Sequence, residues 1–236
     1  MVLTANRRKC GAIVLAVCLT YKALCAQPAP KEQPWQESER NETLLVNAVS
    51  PVLKSCGMGM RIEYGVTCRT SDDKRGLLVF PKVKTQSAPK QGAALERIRH
   101  VFVRDPRVVV SQQSPNVILV GIGHVDGALL RTKIARLKLS PTEQYNTFSA
   151  ESALVRSGEM ETALQRLHLD DAPVVASEGL VRPDKKLPHL PSSLRNVTIG
   201  EALDQIAATF GVISVYGECT NPPPGRKRII IYSRYF

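Results

Sequence analysis

Beyond residue 41 the chain alternates between two spacings of apolar residues. Apolar positions every three or four residues mark one stripe of a helix, and apolar positions at every second residue mark one face of a strand. Glu42–Cys56 carries Leu44, Leu45, Ala48 and Val52 at helical spacing, with Pro51 expected to break the helix and Gly57 and Gly59 to stop it. Met60–Cys68 alternates, with Met60, Ile62, Tyr64 and Val66 on one face. After the SDDKRG turn, Leu77–Val83 completes what reads as a hairpin. Ala94–Phe102 predicts a helix with Leu95, Ile98 and Phe102 inward, ended at Asp105-Pro106, and strands follow at Arg107–Ser111 and Asn116–Ile122. Ala128–Leu139 reads as a short helix running into a strand, and Phe148–Leu169 as mostly helical, divided near Gly158. After a proline-rich stretch the pattern resumes with a strand at Leu194–Val197. A helix at Ala202–Phe210 presents Leu203, Ile206 and Phe210, and strands follow at Val212–Tyr216 and Lys227–Tyr232. Thr198 and Glu201 stand three apart at the start of that helix, the spacing of a capping box.

Two segments look alike. Ala94-Leu95-Glu96-x-Ile98-x-x-x-Phe102 matches Ala202-Leu203-Asp204-x-Ile206-x-x-x-Phe210, and each is followed by two apolar strands. A helix with one apolar stripe and a strand pair with one apolar face bury each other most simply as helix on sheet. The expected fold class is therefore α+β, two small helix-on-sheet units joined by a Pro-rich linker. The first domain spans 42–172, the linker 173–191 and the second unit 192–236.

The first 26 residues change the setting. Arg7, Arg8 and Lys9 precede the apolar run Gly11–Thr20, and Ala23-Leu24-Cys25-Ala26 supplies small residues, the order of a secretory signal peptide. The run is short for a bilayer span of about 20 residues. The expectation is a signal peptide at 1–26, a disordered leader at 27–41 rich in Pro, Gln and Glu, and a periplasmic or secreted mature chain without a transmembrane segment. Of the six cysteines, Cys56, Cys68 and Cys219 lie beyond the leader. A Cys56–Cys68 disulfide would close a short loop in an oxidising compartment, which leaves Cys219 odd. The formal net charge is +11, and it stays positive without the leader's Arg7, Arg8, Lys9 and Lys22. Such a balance suits a possible anionic surface. No basic run interleaved with aromatics supports nucleic acid as a partner.

Candidate chemistry is sparse. Val117–Gly127 (VILVGIGHVDG) follows a strand with Gly-x-Gly, but Asp126 stands where a dinucleotide fingerprint needs its third glycine. His124 and Asp126 in this turn could serve a hydrolase if a nucleophile approached them. No Cys/His cluster has metal-ligand spacing, and no residue is assigned to catalysis, to a cofactor or to a metal. Ile229, Ile231 and Tyr232 on the last strand are candidates for a partner-binding edge.

The stretch Leu194-Arg195-Asn196-Val197-Thr198-Ile199-Gly200-Glu201-Ala202-Leu203-Asp204-Gln205-Ile206 resembles the opening of the short N-terminal domain of secretins and TonB-dependent receptors, over about 45 residues. The resemblance implies a docking or ring-packing module of envelope complexes. The expected function is an exported periplasmic protein-interaction or envelope-assembly module without catalysis, with an envelope protein as partner. The alternative is an exported hydrolase using the His124/Asp126 glycine turn.

Overall fold

The computed structural model describes residues 34–67, 80–83, 92–102, 105–171, 186–220 and 227–234. In chain order the elements are α1 (Pro34–Cys56), β1 (Gly59–Thr67), α2 (Ala94–Val101), β2 (Val108–Ser114), β3 (Val117–Ile122), β4 (Lys133–Lys138), α3 (Pro141–Tyr145), α4 (Thr147–Val155), α5 (Gly158–Arg166), β5 (Leu169–Asp171), β6 (Ser193–Thr198), α6 (Ile199–Phe210), β7 (Ile213–Thr220) and β8 (Lys227–Arg234). Six strands form one sheet in the order β2-β3-β1-β7-β8-β5, and β4 and β6 form a separate two-stranded ribbon.

β1 organises the sheet. It pairs in parallel with β3 on one side, Ile62 opposite Val120, and in parallel with β7 on the other, Ile62 opposite Val215. β2 adds antiparallel to β3, β8 adds antiparallel to β7, and three residues of β5 run parallel to β8. The fold is α+β. Strands from both sides of the Pro-rich stretch enter this sheet, and Pro34–Phe236 forms a single unit, so the two helix-on-sheet units of the sequence share their sheet. Residues 172–185 of the expected linker lie outside the described residues, as do the expected signal peptide and the leader up to residue 33.

Each face of the sheet has its own core. On one face, Met60, Ile62, Tyr64, Ile118, Val120, Ile213 and Val215 pack under α1 and α2, meeting Leu45, Val49, Leu53, Ile98 and Val101. On the other, Tyr216, Ile229 and Ile231 pack with α6, α4, α5 and the ribbon through Leu203, Ile206, Leu154, Met160, Ile134 and Leu194. The helix-and-two-strands repeat is present as α2-β2-β3 and α6-β7-β8, with its helices on opposite faces. The copies also differ in connection, because the strand beside β1 is the second of the pair in one copy and the first in the other.

Several local expectations change. α1 runs through Pro51, which sits exposed on the outer side where its missing N–H removes one helical bond without burying an unpaired carbonyl, and Ser50 returns its hydroxyl to the Val46 carbonyl. The same helix begins at Pro34, inside the stretch expected to be disordered. β1 forms no hairpin with residues 80–83. There Val83 makes an isolated bridge to Phe102, while β1 takes partners distant in sequence. Residues 128–131 form turns in place of a helix, and α3 arises at Pro141 from a capping box of Ser140 and Glu143. Ser157 caps α5 and divides the long helix near Gly158, as the spacing implies. His168 is not helical but turns the chain into β5 with φ 53. The capping box of Thr198 and Glu201 forms at the start of α6, and Gly211 closes that helix in the left-handed conformation.

Candidate functional site

The face of the sheet under α6 is where the chain concentrates its buried polar groups, and the glycine turn after β3 stands at its edge. Beyond Ile122 the chain crosses over β1 at Gly65, where a Cβ would collide with the backbone carbonyl of His124. Only glycine lets the turn pass so close. The turn is then held from β7. The Glu218 carboxylate accepts the backbone N–H groups of Asp126 at 3.0 Å and Gly127 at 3.1 Å, and the Tyr216 hydroxyl at 2.9 Å. Adjacent backbone N–H groups are a ready anion site, and here a carboxylate of the same chain fills it. Burial, followed by the charge and hydrogen bond of Glu218, pushes the Tyr216 phenol well above its usual range.

His124 and Asp126 are not brought together. His124 is exposed, and the Asp126 carboxylate faces Lys227 at 3.5 Å and Arg131 at 3.8 Å. Among the described residues no hydrogen bond or ion pair joins Asp126 to His124, so the geometry of a base and its orienting acid is not assembled in the turn.

Deeper on the same face, Arg61 of β1 lies between two carboxylates, Glu63 and Asp204 of α6, each at 2.9 Å, and donates to the Gly200 carbonyl at 2.5 Å. One guanidinium cannot neutralise two carboxylates. Burial raises the Asp204 carboxyl to about 6 against the pull of Arg61, and Glu63 and Glu201 add to the rise. Among the described residues the Nε of Arg61 has no hydrogen-bond partner. Nearby, Ser214 and Ser233 both donate to the Glu151 carboxylate, at 3.1 and 2.5 Å, tying α4 to β7 and β8. On the opposite face Glu42 of α1 accepts from Tyr232 at 3.0 Å and from Arg234 at 2.7 Å. These groups link elements, and Ser214, fully buried, is out of reach of a substrate.

Sequence reasoning missed Arg61, Asp204, Glu151 and Glu218. Arg61 and Glu63 occupy the polar side of an alternating strand, the ordinary mark of a solvated face. That face is covered because α6 packs on it, and the available signal was the apolar stripe of α6 itself.

The candidate edge also takes a different form. Ile229 and Ile231 are buried in the second core, Tyr232 packs on the first core, and β5 covers β8 along Lys227–Ile229. β8 is therefore an interior strand along that stretch, which includes Ile229 but neither Ile231 nor Tyr232, and among the described residues β5 ends the sheet on this side. The other end is β2, which among the described residues pairs only with β3 and carries Val109, at 63% exposure the most exposed large apolar residue described. Arg99 reaches the Val110 carbonyl of β2 through two donors, at 3.2 and 3.0 Å. Cys56 is exposed at the end of α1, and its candidate partner Cys68 lies outside the described residues.

Among the described residues no group of three or more His, Cys, Asp or Glu is placed to hold a metal ion, and no helix is long and apolar enough to cross a membrane. Comparison of the chain with protein-family models, with curated proteins and with solved structures finds no match.

Proposed function

We propose that this protein is an exported, non-catalytic interaction module of the cell envelope that docks a partner protein along the free edge of β2. The observation that carries the reading is Val109, a large apolar side chain at 63% exposure on a strand with one side unpaired among the described residues. A terminal strand offers its unpaired N–H and C=O groups to an added strand, and an exposed apolar side chain on it gives that strand something to cover. Arg99 guards the edge at Val110 and would be displaced on docking. The leader pattern supports export, with cleavage near Gln27, and a Cys56–Cys68 bond belongs to the same reading. The resemblance of Leu194–Ile206 to the secretin N-terminal domain supports an envelope role.

The test is a photo-crosslinking residue placed at Val109 in one variant and at Thr162, exposed on α5, in another. A discrete adduct in envelope fractions from position 109, lost on Val110→Pro, supports edge docking. Equal adducts from both positions, or none from position 109, would overturn it.

A further inference from the structure

The ribbon of β4 and β6 turns a charged face outward. Ile134, Leu137 and Leu194 point into the second core, while Lys133, Arg136, Lys138 and Arg195 are exposed. Arg136 and Arg195 are direct cross-strand partners. Side chains so placed begin about 5 Å apart on one face, and like charges in that position destabilise a strand pair. Asn196, at φ 52, separates this pair from the Ile134–Val197 pair above it. Lys133 and Lys138 extend the stripe to about 17 Å at strand rise. Among the described residues none of the four cations has an ion-pair partner, and nearby carboxylates are engaged elsewhere. Glu143 accepts from the Ser140 N–H and faces Arg156, Glu159 accepts from the Ala135 N–H, and Glu201 accepts from the Thr198 N–H.

We propose that this ribbon face docks on an anionic phospholipid surface. Paired arginine forks suit phosphate oxygens, and a stripe of this length meets several headgroups at once. A folded acidic protein is the poorer fit. A protein interface needs an apolar centre, and the exposed large apolar residues described, Val109 and Leu187, both lie off the ribbon. Single-stranded nucleic acid would need aromatic platforms, and neither ribbon strand carries an aromatic residue. The inference stands apart from edge docking at β2 and does not depend on it.

The experiment measures binding of the full chain to phosphatidylcholine vesicles with and without one-third phosphatidylglycerol. Three double variants are compared with wild type. Arg136→Glu/Arg195→Glu reverses the central pair, Lys133→Gln/Lys138→Gln neutralises the flanks, and Lys54→Glu/Lys82→Glu matches the charge change of the first on exposed sites away from the ribbon. The expected result is wild-type affinity for the phosphatidylglycerol vesicles that falls with salt. It should fall about fivefold for each ribbon cation removed and stay near wild type in the Lys54/Lys82 variant. The glutamine variant keeps the test decisive if the charge reversal unfolds the chain. Equal losses in ribbon and control variants would reduce the effect to net charge and overturn the proposal. Binding indifferent to phosphatidylglycerol would overturn it too, as would ribbon-dependent binding to a DNA duplex without binding to vesicles.

Discussion

The phenol end of the Tyr64 ring lies against Gly217, its direct partner across β1 and β7, so that a Cβ at position 217 would collide with the ring's Cζ and hydroxyl. The ring also meets Phe80 at 6.0 Å between centroids, and among the described residues its buried hydroxyl has no hydrogen-bond partner. Two opposite effects follow. Gly217→Ala should destabilise by about 2–3 kcal/mol, because the ring must leave a filled core. Tyr64→Phe keeps the ring and removes an unpaired buried hydroxyl, so it should be neutral or stabilising by about 1 kcal/mol. Thermal melts of the two variants check the pair, and a Tyr64→Phe variant less stable than wild type would refute the reading of its hydroxyl.

Asp204 gives the fold a pH dependence of definite sign. Its folded pKa, about 6, stands above the ordinary 3.8. The folded chain therefore holds a proton that the unfolded chain has already lost, and stability falls as pH rises from 3.8 through about 6. The loss is about 3 kcal/mol at its largest. Asp204→Asn should flatten this slope in urea melts taken across that window, and an unchanged slope would place the titration elsewhere.

Glu218 is the clasp of the glycine turn. Glu218→Ala leaves two backbone N–H groups and the Tyr216 hydroxyl without their acceptor, a cost of about 3 kcal/mol. Hydrogen exchange should report it locally, with the amides of Asp126 and Gly127 losing protection before those of β1.

The α6 stripe is graded. Leu203 and Ile206 are fully buried and Phe210 only half-buried. Leu203→Ala should cost about 2–5 kcal/mol. Phe210→Ala, which a wholly inward stripe would put as high as a buried aromatic, should cost nearer about 1–2 kcal/mol. Thr198→Ala removes one half of a formed capping box and should cost about 1 kcal/mol. Melting temperatures test the order Leu203, Phe210, Thr198.

What the sequence revealed was local. Periodicity marked β1, β3, α2, β6, α6 and β7, and the Thr198–Glu201 spacing located a helix start to the residue. Pairing was not legible, because β1 alternates as cleanly beside a hairpin partner as it does between two parallel strands. The polar sites were illegible for a related reason. Arg61 and Glu63 look solvated until α6 covers them, and Glu218 has no signature apart from the turn it holds, which begins nearly a hundred residues earlier. Glycine 65 and glycine 217 carried the missing information, since each marks where another group must pass close, but a single sequence does not name that group.

The placement of β1 bears on how the molecule comes into being. It is the first strand of the described chain and one of the two central strands of the sheet, and its second neighbour, β7, is made near the C-terminus. As the chain leaves the ribosome β1 can gain β3, yet its other side stays open until residues 213–220 have been synthesised. Such high contact order slows folding and prolongs the exposure of an apolar strand. The same delay would suit the proposed export, since the sheet cannot close over its own centre until the last strands arrive.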